Sequence, residues 1–131
     1  MQKKLFILFL FVLAKLACFG QIPDCSKFRD GRYRIADARA GTVTIADRRG
    51  GYQTESSESL KAVVRFRVNW QDNCNYTLKL DKVIRNENKI DFPSGLEIKI
   101  RITQTSANSY LQEVSSPMVN GTYTVEVVKI D

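Results

Sequence analysis

The stretch that decides the fold is Val64-Arg65-Phe66-Arg67-Val68-Asn69-Trp70-Gln71-Asp72-Asn73-Cys74-Asn75-Tyr76-Thr77-Leu78-Lys79-Leu80. Val64, Phe66, Val68 and Trp70 alternate with Arg65, Arg67 and Asn69, a period of two that turns one face inward and the other to water. The pattern lapses over the polar Gln71-Asp72-Asn73. It resumes with Tyr76, Leu78 and Leu80 against Thr77, Lys79 and Asp81. Two such runs around a polar loop read as a β-hairpin, with Cys74 at the downstream edge of the loop.

The same period continues on both sides. Ile98, Ile100 and Ile102 alternate with Lys99, Arg101 and Thr103, and Ala107-Asn108 turns that strand back into residues 109–114. Asn120-Gly121, between Met118-Val119 and Tyr123-Val125-Val127, predicts a type I′ hairpin, because this dipeptide tolerates positive φ. Pro117 lacks an N–H and suits an edge or a bulge. Upstream, Tyr33-Ile35, Val43-Ile45 and residues 51–56 give three shorter strands, joined by Ala40-Gly41 and Arg49-Gly50-Gly51. Asp24 to Phe28, after Pro23, predicts a single helical turn with Asp24 as its cap. The reading is all-β: an antiparallel meander of about eight short strands forming a small, closed or partly open barrel, with a two-sheet sandwich as the alternative. No linker suggests a second domain.

The first residues belong to something else. Lys3 and Lys4 precede Leu5 to Ala14, an apolar run without charge, and Gly20-Gln21 offers a junction of small and polar residues. This is the layout of a signal peptide over 1–20, which leaves a mature domain at 21–131. The run is shorter than the about 20 residues a membrane-spanning helix needs, and Lys15 interrupts it. Leu16-Ala17-Cys18 raises lipid attachment at Cys18 as a second reading, although Lys15 stands where an apolar residue would be expected. The expected destination is the periplasm, the cell envelope or the medium. The segment takes three of the 20 Lys and Arg residues and none of the 14 acids, leaving 17 against 14, a net +3. That charge favours solubility and argues against a nucleic-acid partner.

Two cysteines remain, Cys25 and Cys74, and in an oxidising compartment such a pair reads as one disulfide. The chain has no His. This excludes nucleophilic catalysis that needs an imidazole base and removes the usual zinc ligand, so neither enzyme chemistry, a metal nor a cofactor is expected. Glu55 and Glu58 are the nearest approach to a carboxylate pair, in a Ser-rich stretch that reads as a solvated loop. Arg65, Arg67, Lys99 and Arg101 all point outward and would form a basic stripe if their strands were neighbours; otherwise they are the polar face any half-exposed strand needs. Tyr33, Phe66, Trp70, Tyr76 and Tyr123 point inward, where they either fill the centre or line a cavity. In eight strands there is room for little more than side chains, which favours filling.

Two resemblances rest on these residues. Cys25-Ser26-Lys27-Phe28-Arg29-Asp30-Gly31-Arg32-Tyr33, followed by Phe66 to Trp70 and Cys74 to Leu78, resembles a family of small exported Bacteroidota proteins without a known activity. In that family a Cys-x-x-Phe-x-x-Gly-x-Phe/Tyr opening precedes a Val-x-Trp-x-x-x-Cys-x-Tyr-x-Leu core. Some members carry a topoisomerase IV label, a reaction that needs a far larger ATP-driven machine than a secreted domain of this size. Gly31-Arg32-Tyr33 after a short helical turn also resembles the Gly-x-Trp opening of lipocalin-type barrels, with Tyr in place of Trp; it implies a barrel with an internal site. The functional expectation is an exported envelope or periplasmic β domain, non-enzymatic, acting as an interaction or structural module on an envelope protein. The alternative is a lipocalin-like carrier of a small apolar ligand.

Overall fold

The computed structural model describes residues 23–131, so the expected signal peptide and Cys18 lie outside the described residues. A 3₁₀ turn, Ser26–Phe28, precedes eight strands: β1 (Gly31–Asp37), β2 (Thr42–Arg49), β3 (Tyr52–Ser57), β4 (Ala62–Trp70), β5 (Asn75–Asn86), β6 (Glu97–Thr105), β7 (Ser109–Ser115) and β8 (Thr122–Lys129). Each strand pairs antiparallel with the next, and β8 returns to β1, so the sheet closes into a barrel in the order β1 to β8. The expected meander is present, and the closed barrel sets the sandwich alternative aside.

Closure is uneven. β7 and β8 pair along seven positions, from Ser109↔Val128 to Ser115↔Thr122. β1 and β8 pair at only three, Tyr33↔Lys129, Arg34↔Val128 and Ile35↔Val127. The hairpin read from residues 64–80 is β4–β5, with Trp70↔Tyr76 flanking its loop. Its register shifts at Val63/Val64 and Arg65/Phe66. Such bulges bend a strand and help a sheet curl into a barrel.

One turn differs from expectation, and another forms where it was expected. Asn120-Gly121 is no I′ hairpin: only Gly121 has positive φ (74°), and the loop between Ser115 and Thr122 holds Pro117, Met118 and Val119 outside any strand. The two-residue turn with both φ positive is at Gly50 (61°) and Gly51 (79°), between paired Arg49 and Tyr52. That is the geometry type I′ demands, and it tightens β2–β3. The helical turn forms at Ser26–Phe28, but its N-cap is Cys25, without a side-chain cap bond; Asp24, one residue earlier, accepts from the Ser26 backbone N–H at 3.2 Å.

The barrel has two unlike ends. At one lie the 3₁₀ turn, the start of β1 and the β4–β5 loop, joined by the Cys25–Cys74 disulfide (Cα–Cα 5.3 Å). The bridge closes a loop with a sequence separation of 49. On a chain-entropy account this contributes about 4 kcal/mol. Gly31 is required here. Its φ is +129°, and a Cβ would sit 2.9 Å from Lys129 Cε and 3.0 Å from the Asp131 carbonyl oxygen. The opposite end is built from the β1–β2, β3–β4, β5–β6 and β7–β8 connections. Exposed Leu60, Met118 and Val119 lie in these loops, beside exposed Val83 and Ile84 of the β5 extension. No helix among the described residues is long and apolar enough to cross a membrane.

Candidate functional site

The barrel interior divides into a filled half and an open half, and one buried arginine marks the boundary. Arg48, on β2, is 2% exposed. Its Nε donates to Gln53 Oε1 (2.7 Å), Nη1 to the Phe28 carbonyl (2.6 Å), and Nη2 to the phenol oxygens of Tyr76 (2.7 Å) and Tyr110 (3.0 Å). The guanidinium carbon lies 4.7 Å from the ring centroids of both Tyr33 and Tyr76 and 5.8 Å from that of Trp70. A buried cation is tolerable only with such saturation. Burial alone would lower its pKa, but Tyr76 and Tyr110 more than offset this and hold it above the usual arginine value. Phe28, Tyr33 and Tyr110 pack beside it in tilted and edge-on contacts, with centroids 4.9 Å apart for Phe28–Tyr110 and 5.8 Å for Tyr33–Tyr110. Tyr33 donates to the Asp30 carbonyl at 2.7 Å, and burial pushes its pKa up to about 12. Buried side chains fill this half.

Above Arg48 lies a chamber of about 180 Å³. Ile35, Leu78, Ile98, Ile100, Val114 and Val125 give it apolar walls. Asp37, Thr42, Thr44, Gln53, Glu55 and Gln112 add polar groups, and Tyr76 and Tyr123 line it too. Its most consequential member is Glu55. β3 carries Gln53, Glu55 and Ser57 on its inward face, opposite Phe66, Val64 and Ala62 of β4. Gln53 Nε2 donates to Glu55 Oε1 at 3.0 Å while its carbonyl accepts from Arg48. Gln53 thus relays between guanidinium and carboxyl. Burial raises the Glu55 pKa above its ordinary value, against the lowering effects of Gln53 and Arg48.

Gln112 faces the same space. It is 5% exposed, and its one side-chain contact is with Tyr76, whose hydroxyl donates to Oε1 at 3.4 Å. At the mouth, Asp37 accepts from Arg39 through Oδ1 (backbone N–H at 3.0 Å) and Oδ2 (Nη2 at 3.4 Å). Burial raises the Asp37 pKa, but the bonds from Arg39 outweigh this and leave it below the ordinary value. The Arg39 guanidinium in turn lies 3.7 Å from the ring centroid of Tyr123.

The inward aromatics therefore do both things the sequence allowed. Tyr33, Trp70 and Tyr76 gather around Arg48, with Trp70 and Tyr76 centroids 4.4 Å apart, and Phe66 is buried beside them in the core. Tyr123 lines the chamber. The basic residues are not brought together: β5 separates β4 from β6. Arg65 and Arg67 both pair with Asp81 (2.7 and 3.3 Å), Arg101 pairs with Glu113 (3.2 Å), and Lys99 stands apart from the first two. The condition for a stripe is not met. A groove of about 480 Å³ does run outside β5–β7, past Lys99, Arg101 and Glu113, but two of those three are spent on each other.

One residue overturns its reading outright. Glu55 is no part of a solvated loop; it is a strand residue inside the barrel, whereas Glu58 is exposed in the β3–β4 connection. Gln53-x-Glu55-x-Ser57 has the period of a strand but no apolar face to announce it. Arg48, Tyr110 and Gln112 were also missed. Arg48 fell between the strand read at Val43-Ile45 and the Arg49-Gly50-Gly51 turn, because β2 runs four residues beyond Ile45. Tyr110 and Gln112 do alternate with Val114, which was an available signal.

No family model matches the chain, and neither a curated protein nor a solved structure does.

Proposed function

We propose that the protein is a non-enzymatic binding module that holds a small molecule in the chamber beside Glu55 and Gln112. The observation that carries this is the chamber itself, about 180 Å³ between apolar walls, with the Glu55 carboxyl lining it and only its Oε1 engaged. The volume sets the ligand's size. An engineered apolar cavity of about 150 Å³ takes up benzene, so 180 Å³ suits a molecule of similar bulk and is too small for a typical drug-sized ligand.

An enzymatic reading has one point in its favour, two carboxyl groups, Asp37 and Glu55, on one chamber. Asp37 is engaged by Arg39, and a glycan would not fit the volume. The interaction-module reading loses its strand edges along most of the barrel, because closure pairs them. It keeps the outer faces and the apolar residues at the loop end. Export fits the disulfide, since such bridges persist in oxidising compartments.

The test is native mass spectrometry of protein purified from its own cells. A reproducible small-molecule adduct, lost in a Val125→Phe variant that fills the chamber, is the expected result. Adduct-free protein in repeated preparations, together with recovery of a protein partner by crosslinking, would move the reading to the interaction module.

A further inference from the structure

The chamber's polar groups are not evenly distributed in kind, and this bears on the chemistry of its occupant. The inference rests on the proposal that the chamber is a binding site. Arg48, the cation beneath the chamber, does not line it. Its donors point to Gln53, Phe28, Tyr76 and Tyr110, and aromatic rings flank it. Arg39, the cation at the mouth, is held by Asp37 over the Tyr123 ring. What faces the enclosed space is acceptor-rich: the Glu55 carboxyl, of which only Oε1 is engaged, and the hydroxyls of Thr42 and Thr44.

Placement in the sheet concentrates these groups. Glu55 is directly opposite Ala46 on β2, and Thr44, two residues along, is its diagonal neighbour on the same inward face. On its other side Glu55 faces Val64, and Leu78 and Ile100 add apolar wall. Gln112 supplies an amide that can turn its carbonyl or its nitrogen to a ligand. The aromatic face of Tyr123 is a further favourable surface for a cation.

We propose that the chamber selects a small primary amine, its ammonium group bound at Glu55 and its short hydrocarbon body against Ile35, Leu78 and Ile100. An ammonium offers three donors and no acceptor, which matches a carboxylate flanked by hydroxyls. It also supplies the charge that a carboxylate in an apolar enclosure lacks. An anionic ligand of the same shape would face Glu55 with like charge and is rejected. A neutral isostere fills the same volume without the ionic contact.

Isobutylamine, isobutanol and isobutyrate are near-isosteric probes of this idea. Binding is followed by ¹³C-methyl NMR of Ile35, Leu78 and Ile100, and by the side-chain amide signals of Gln112. The expected result is chamber-localised shifts with isobutylamine at least tenfold tighter than with isobutanol, and none with isobutyrate. In Glu55→Gln the amine's advantage should vanish while isobutanol still binds, which shows that the variant remains folded with an open chamber. Equal binding of amine and alcohol to the unaltered protein, or preference for isobutyrate, would overturn the amine proposal yet leave the chamber as a binding site. No shift with any of the three would overturn both.

Discussion

Arg48 and Tyr76 meet in two ways: Nη2 donates to the phenol oxygen at 2.7 Å, and the guanidinium carbon lies 4.7 Å from the ring centroid. One cation thereby fastens β2 to β5 across the barrel and, through Tyr110 and Phe28, to β7 and the 3₁₀ turn. Its removal orphans several buried acceptors at once. Arg48→Ala is expected to cost about 3 kcal/mol or more, since each hydrogen bond to a charged group contributes about 1.5–3 kcal/mol. Arg48→Lys should recover little, because an ammonium cannot reproduce the planar fork. Urea unfolding of both variants checks this; a loss below about 0.5 kcal/mol, the range of unremarkable surface changes, would refute the hub.

The disulfide joins that hub's end of the barrel. Cys25→Ser and Cys74→Ser should each lower stability by about 4 kcal/mol, and the double variant by no more than either alone. Reduction of the unaltered protein should give the same loss. Equal melting temperatures for oxidised and reduced protein would show that the bridge contributes nothing.

Gly31→Ala tests the origin of the Gly31-x-Tyr33 opening. A Cβ at 2.9 Å from Lys129 Cε and 3.0 Å from the Asp131 carbonyl cannot fit without moving the end of the chain. Together with the φ of +129°, this predicts a loss of about 2–3 kcal/mol. Gly41→Ala, also at positive φ but with open space around it, should cost less. A ranking in which Gly41→Ala is the worse variant would contradict the close approach.

Glu55 gives a pH dependence of definite sign. Burial raises its pKa in the folded chain. The folded state therefore binds the proton more tightly than the unfolded one, and the stability this confers is complete below the ordinary glutamate pKa and fades as pH rises through the raised value. Glu55→Gln should be nearly neutral at pH 4 and stabilising at pH 8. Thermal melts of the pair across this range measure it; a variant less stable at pH 8 than the parent would reverse the assigned cause.

Much of the barrel could be read from alternation alone. β4, β5 and β6 follow the pattern of apolar and charged neighbours closely, because their inward faces are built from Val, Phe, Leu and Ile. β3 was legible as a strand at residues 51–56, but its inward face was not: that face is Gln53, Glu55 and Ser57, and polarity there looks like solvent exposure. The same reason hid the site. A polar residue inside a barrel is betrayed only by the partners that satisfy it, and Arg48, Gln53 and Glu55 find theirs on other strands. The type I′ turn was sought at Asn120-Gly121 and found at Gly50-Gly51, because local turn preference yields to the register that the flanking strands adopt.

The three-position seam between β1 and β8 also dictates when this molecule becomes a container. While β8 is still being synthesised or threaded, β1 through β7 amount to a curved, leaking trough without the Tyr123 and Val125 wall. A ligand of the proposed kind could be enclosed only after the final strand has latched, so a product ending before Thr122 would be an empty gutter however well its disulfide had formed.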